Sequence, residues 1–195
     1  MSKHKITRAE ILASDVYARE RKERRAAITL LKRPRRVSVG PYATFYFENY
    51  DTMFQQIHEM LHIEKGGEEQ IADELAAYNP LIPQGNELVA TLMLEIDDPV
   101  RRDRELRRIA HIENFIALEI DGESAKAEAE GDIERTTDDG KTSAVHFIRF
   151  HLSPTQIAKF RDPAKRVMLS ITHENYGHMA VMSAETRAAL AKDLN

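Results

Sequence analysis

The chain has 195 residues, of which 42% are apolar and 31% charged, with a formal net charge of −4. That length suits one domain, or one domain with an appendage, and the apolar fraction is enough for a real core. It contains no cysteine, which excludes disulfides, thiolate metal sites, cysteine-ligated iron–sulfur clusters and thiol catalysis.

Charge is unevenly placed. Residues 1–36 hold 12 of the 28 Lys and Arg but 4 of the 32 Asp and Glu, a net of +8, which leaves −12 for the remainder. Such asymmetry marks either a surface for an acidic partner or nucleic acid, or a basic helix docked on an acidic body of the same chain. The opening MSKHKITRAE carries no signal-peptide apolar region, and the longest apolar run, Leu88 to Leu94, is too short to span a bilayer. The expectation is a cytoplasmic protein with no membrane association.

Thr7-Arg-Ala-Glu10 is a capping-box pattern, so a short helix or turn starts there. Ser14 is placed to cap a helix from Asp15 to Leu31, ended by Pro34. Its apolar positions are Val16, Tyr17, Ala27, Ile28 and Leu31, and its middle, Arg19 to Arg25, is polar all round. That middle is expected to be exposed or buried against charge.

Arg35 to Gly40 and Ala43 to Phe47 read as two strands of a hairpin across Gly40-Pro41. Asn49 or Asp51 then starts a helix whose Met53, Phe54, Ile57, Met60 and Leu61 fall on one arc, with Gly66-Gly67 at its end. His58 lies at the edge of that arc and His62 off it. A further helix is expected from Glu68 to Tyr78. Asn79-Pro80 and Ile82-Pro83 are expected to hold extended backbone.

Glu87 to Ile96 is nearly continuously apolar and reads as a central strand. Asp98-Pro99 opens an Arg-rich helix to about Ala110, and Glu113 to Ile120 is another strand. Residues 123–142 are polar and mixed in charge, which predicts an exposed loop or mobile hairpin. Ala144 to Leu152 is a strand, Ser153-Pro154-Thr-Gln156 opens a short helix to Phe160, and Arg166 to Thr172 and Tyr176 to Met182 are two further strands. Ser183 caps a last amphipathic helix with Ala184, Leu190 and Leu194 as anchors. Strands and helices mix without regular βαβ alternation. The predicted fold is therefore one α+β domain over residues 1–195, a mainly antiparallel sheet of roughly five to seven strands packed by helices, with a basic N-terminal helix outside it.

One segment carries a named catalytic spacing. His58-Glu59-Met60-Leu61-His62 fits H-E-x-x-H, in which imidazoles at i and i+4 of a helix hold zinc and the Glu activates its water. A zinc-dependent hydrolase using His58, Glu59 and His62 is thus one reading, with His111, His146, His173 or His178 as a distant third ligand. The alternative is a surface histidine pair. His173-Glu-Asn-Tyr-Gly-His178 is a second cluster of proton-carrying groups, although its spacing matches no established ligand pattern. The basic segment 19–36 offers phosphate contacts, but it lacks interleaved aromatics and helix-turn-helix spacing, so nucleic-acid binding ranks below the other readings. No phosphate-cradling glycine loop, dinucleotide fingerprint or serine-nucleophile elbow occurs.

Phe47-Glu-Asn49, Glu59-Met-Leu61, Tyr78-Asn-Pro-Leu-Ile-Pro83, Ala90-Thr-Leu-Met93 and Ser143-Ala-Val-His-Phe147 together resemble the bacterial domain-of-unknown-function family 3501. The resemblance covers most of the chain. It carries no catalytic residues, because the family has no established activity, and it implies no cofactor. Genes of the family neighbour those of rubrerythrin-like proteins and iron–sulfur oxidoreductases. The resemblance therefore implies a non-enzymatic accessory or protein-binding module in a redox or oxidative-stress setting, with such a protein as partner. It does not extend to His58 and His62, where the family pattern has Gln-x-x-x-Arg-like residues. It does include Glu48, Asn49, Glu59 and Glu64. These groups, facing Arg21 and Arg25 of the basic helix, are the candidate binding residues, with Glu59 the candidate catalytic one.

Overall fold

The structure, a computed structural model, describes residues 3–130, 136–137 and 139–195. Among the described residues, nine antiparallel strands divide over two sheets rather than forming one. The first sheet has the order β1-β2-β3-β7-β6, with β1 Arg36–Val39, β2 Ala43–Glu48, β3 Glu87–Leu94, β6 Glu128–Ala129 and β7 Val145–His151. The second has the order β5-β4-β8-β9, with β4 Ile116–Ile120, β5 Glu123–Lys126, β8 Val167–His173 and β9 Tyr176–Val181. As the apolar run predicts, β3 is central, and β2 and β7 flank it on either side.

The two sheets are stitched at both sides. Only Ala127 separates β5 from β6, so one stretch of chain leaves the second sheet and enters the first. Of the exposed loop or mobile hairpin expected over 123–142, Glu123–Lys126 and Glu128–Ala129 are strand, and Thr136 and Thr142 form a buried bridge; residues 131–135 and 138 lie outside the described residues. On the other side, the Tyr176 hydroxyl of β9 donates to the Val39 carbonyl at 2.7 Å and accepts from the Tyr42 and Ala43 amides at 3.1 and 3.0 Å. Gly40 turns there with φ at 72°, and a Cβ on it would stand 2.5 Å from the His178 ring, so only glycine fits.

Alternation along the strands sorts the side chains into two cores. Phe45, Phe47, Ala90, Leu92, Ile148 and Phe150 point between the sheets, where they meet Leu118, Leu169 and Ile171. On the opposite face of the first sheet, Val89 and Phe147 lie under a helical layer through Met53, Ile57 and Ile71. That layer consists of α1 Ser14–Lys32, α2 Tyr50–Glu64 and α3 Gly67–Tyr78. The remaining helices, α4 Pro99–Arg108, α5 Pro154–Arg161 and α6 Ala184–Leu190, are short. No described helix is long and apolar enough to cross a membrane.

Most boundaries follow from capping chemistry. The Asn49 side chain accepts from the Thr52 amide at 3.0 Å, and the Thr52 hydroxyl accepts from the Asn49 amide at 2.9 Å. Ser153 and Gln156 form the same reciprocal box at α5, and the Asp98 and Ser183 side chains accept from the Arg101 and Thr186 amides at the starts of α4 and α6. Four expectations shift. Ser14 is the first helical residue of α1 and caps nothing, because Ala13 holds the extended cap conformation. Lys65, in the left-handed region at φ 55°, ends α2 before the two glycines are reached. Asn79 is helical and opens a 3-10 turn over Asn79–Leu81. Its side chain exchanges hydrogen bonds with the Ile6 backbone, which holds that conformation against the following proline. Ile112–Phe115 is likewise a 3-10 turn, and its strand begins only at Ile116.

Candidate functional site

The candidate residues converge where α1 packs on α2. The inner stripe of α1 runs through Tyr17, Arg21, Arg24, Ile28 and Leu31, of which Tyr17 is fully buried and the rest half-buried. A helix of this composition can dock only if its partner offers acceptors. Glu59 of α2 supplies the acceptor, and Gln55, which donates to Tyr17, stands at the same i, i+4 spacing from it that separates Tyr17 from Arg21.

Glu59 is the hub. Arg21 grips it with both edges of its guanidinium, Nε to Oε1 at 3.0 Å and Nη2 to Oε2 at 2.8 Å. The Tyr17 hydroxyl donates to Oε1 at 2.5 Å and itself accepts from the Gln55 amide at 2.6 Å. The Arg21 contact, reinforced by Tyr17, holds the Glu59 carboxyl down at about 2. Burial, and then the bond to Glu59, pushes the Tyr17 phenol above its ordinary value. A carboxylate so thoroughly engaged is a poor general base, since its proton affinity is low and its lone pairs are committed.

His58 is buried, at 1% exposure, and is not a surface residue. It sits between the rings of Tyr17 and Phe54, with centroids 5.0 and 4.3 Å away. Its Nδ1–H donates to the Phe54 carbonyl at 2.7 Å, and its Nε2 accepts from the Leu12 amide at 3.0 Å. Those partners assign the neutral tautomer, and burial lowers the imidazole pKa further. One nitrogen is therefore protonated and the other has spent its lone pair on a backbone amide, so neither faces a metal. His62 is half-buried, sets its ring edge to Tyr17 at 5.9 Å, and makes no hydrogen bond among the described residues. The distant histidines have their own surroundings. His146 lies 3.6 Å from Glu113, His173 binds the Ala110 carbonyl and the Asn175 amide, and His178 packs on Tyr176. Among the described residues, no group of three or more His, Asp or Glu side chains is placed to hold a metal ion.

The other candidates do not join this site. Glu48 is buried on β2, where it accepts from the Thr91 hydroxyl at 2.8 Å. Asn49 is the α2 cap. Glu64 is exposed and accepts from Gln70 at 2.8 Å. A single polar pocket made of Glu48, Asn49, Glu59 and Glu64 is thus not what the fold builds: Glu59 alone faces the basic helix.

Two hollows flank the lock, and His62 borders both. The first is a cleft of about 670 Å³ between the N-terminal segment, α2 and the start of α3. The second is a groove of about 530 Å³ along the outer side of α1, lined by Ala18, Arg21, Lys22, Arg25, Thr29 and His62. Arg19 and Arg24 pair with acids one turn earlier on α1, Asp15 and Glu20. Lys22 and Arg25 are exposed and make no ion pair among the described residues. Sequence reasoning missed Gln55 and Lys65 and read Tyr17 only as apolar. The signal that could have found the lock is the matched spacing of Tyr17 and Arg21 against Gln55 and Glu59.

Comparison with known proteins gives the chain a lineage but no activity. A family model described as a protein of unknown function, DUF3501, matches residues 5–194. A crystal structure of a novel protein of unknown function from Burkholderia pseudomallei K96243 is similar at 38% identity and a TM-score of 0.90, over 97% of this chain and 99% of that one. No curated protein matches.

Proposed function

The chain belongs to the DUF3501 family, whose function is unknown, and from its surface we propose that it is a non-enzymatic binding module that holds an acidic segment of a partner protein along the basic groove of α1. The observation that carries this reading is the pair Lys22 and Arg25, exposed beside His62 in a concave surface and in no ion pair among the described residues, with Arg25 acting on the Glu59 carboxylate only at a distance. Arg21, next to them, is already neutralised by Glu59. The groove therefore has uncompensated positive charge on a helix that is itself firmly docked, which suits recognition of carboxylates better than catalysis. The genomic setting implied by the family resemblance supports a rubrerythrin-like or iron–sulfur redox protein as the partner, in the cytoplasm.

The hydrolase reading draws little from this geometry, since Glu59 is salt-bridged and the His58 nitrogens are occupied. Nucleic acid is the competing polyanion for the same groove. A labelled twelve-residue polyglutamate peptide, followed by fluorescence anisotropy, tests the proposal. Binding should weaken with salt, and Lys22→Glu with Arg25→Glu should weaken it by roughly tenfold or more. Unchanged peptide binding in the double variant refutes the groove as the site. An oligonucleotide that binds more tightly than the peptide at equal charge would favour nucleic acid instead.

A further inference from the structure

We infer that the cleft between the N-terminal segment, α2 and α3 is a small-molecule site for an amphipathic carboxylic acid, an apolar body carrying one anionic head. This goes beyond the protein-binding reading and rests on a different hollow.

Its volume of about 670 Å³ lies in the range of ligand pockets, roughly 300–1,000 Å³. The chemistry inside is graded from floor to mouth. Ile11, Leu12, Leu61 and Ile71 supply apolar wall. The polar residues of the floor have nothing to offer, because both His58 nitrogens and the Tyr17 hydroxyl are satisfied within the protein. Whatever lies against them must therefore be apolar, since a polar group would be buried there without a partner.

Charge is confined to the rim. Arg8 and Glu68 cancel each other through a two-pronged pair at 2.5 and 2.6 Å. Lys65 makes no ion pair among the described residues, and His62 beside it makes no hydrogen bond among them. The mouth therefore favours an anion. Lys65 is also the residue that stops α2, held at φ 55° and ψ 33° with its amide on the Leu61 carbonyl. Two glycines, which tolerate that conformation at no steric cost, follow immediately. The chain instead spends a strained position on a lysine at the cleft mouth, and strain of this kind collects at functional positions.

Decanoate is a suitable probe, titrated into the full chain and followed by amide chemical shifts in two-dimensional NMR. Saturable shifts are expected at Leu12, Leu61, His62 and Ile71, with decanoate binding at least about tenfold more tightly than decylammonium of the same tail. Lys65→Gly should weaken decanoate by at least about threefold while leaving the protein as stable as before or more so. Ile71→Trp should block the cleft, and Lys65→Gly decides the matter if that variant fails to fold. The inference is overturned by shifts that do not saturate at millimolar decanoate, by equal affinity for decylammonium, or by unchanged affinity in Lys65→Gly.

Discussion

Glu59→Gln separates a structural lock from a catalytic base. Arg21 and Tyr17 hold the wild-type carboxyl at about 2, against an ordinary value of 4.5. That difference corresponds to roughly 3 kcal/mol. The Glu59 side chain is 19% exposed, and solvent screening reduces the expected contribution to about 2 kcal/mol. Because the carboxyl is depressed in the folded state, the unfolded chain binds the proton first as pH falls. The contribution is therefore complete above the unfolded value near 4.5 and is lost as pH drops towards 2. Urea denaturation should show Glu59→Gln less stable by about 2 kcal/mol at pH 7, or a melting temperature lower by roughly 4–8 °C for a chain of this size. The gap between wild type and variant should narrow steadily below about pH 5. A difference under about 0.5 kcal/mol at pH 7, or one that does not change between pH 5 and 3, would refute the lock.

Three further outcomes are expected. His58→Ala removes a buried ring and leaves the Leu12 amide without its acceptor, so denaturant titration should show a loss of about 2–4 kcal/mol; a zinc-dependent rise in wild-type melting temperature that this variant abolishes would restore the metal reading. Lys65→Gly relieves a left-handed conformation at the end of α2 and should raise the melting temperature by roughly 2–4 °C in a thermal scan. Arg35, at 4% exposure, is paired with Asp193, at 8%, and Arg35→Ala strands that buried carboxylate, at a cost of about 3–5 kcal/mol by urea titration; a cost under about 1 kcal/mol would show that the pair is replaceable.

The architecture was legible wherever local chemistry decides it. Asn49, Asp98, Ser153 and Ser183 announce their helices, and the unbroken apolar run of β3 announces a strand covered on both faces. What local pattern could not convey was the division into two sheets. That division depends on the one-residue crossing at Ala127 and on the distant contact of Tyr176 with Val39. Residues 123–129 alternate small and polar side chains with none large and apolar, which reads as loop or mobile hairpin, yet β5 and β6 are held by backbone pairing with β4 and β7. The site was half legible. Charge asymmetry pointed to α1, and H-E-x-x-H to the turn of α2 where Glu59 meets Arg21. At 100° per residue His58 falls at the edge of the apolar arc, but the N-terminal segment folds over that edge and buries it, and no periodicity within α2 reports the segment that covers it. Arg35 shows the same blindness: within Arg33-Pro-Arg-Arg36 nothing marks the one guanidinium that turns inward to bind the Phe47 and Glu48 carbonyls.

In the proposed function the α1 groove engages a protein partner through its excess of positive charge. Calorimetric titration of the purified chain with a rubrerythrin-like protein, the proposed partner, tests this for wild type and for Lys22→Glu with Arg25→Glu. Saturable, salt-sensitive binding is expected, which the reversal weakens by about tenfold or more while the melting temperature stays within a few degrees. Binding of equal strength in both proteins would contradict it.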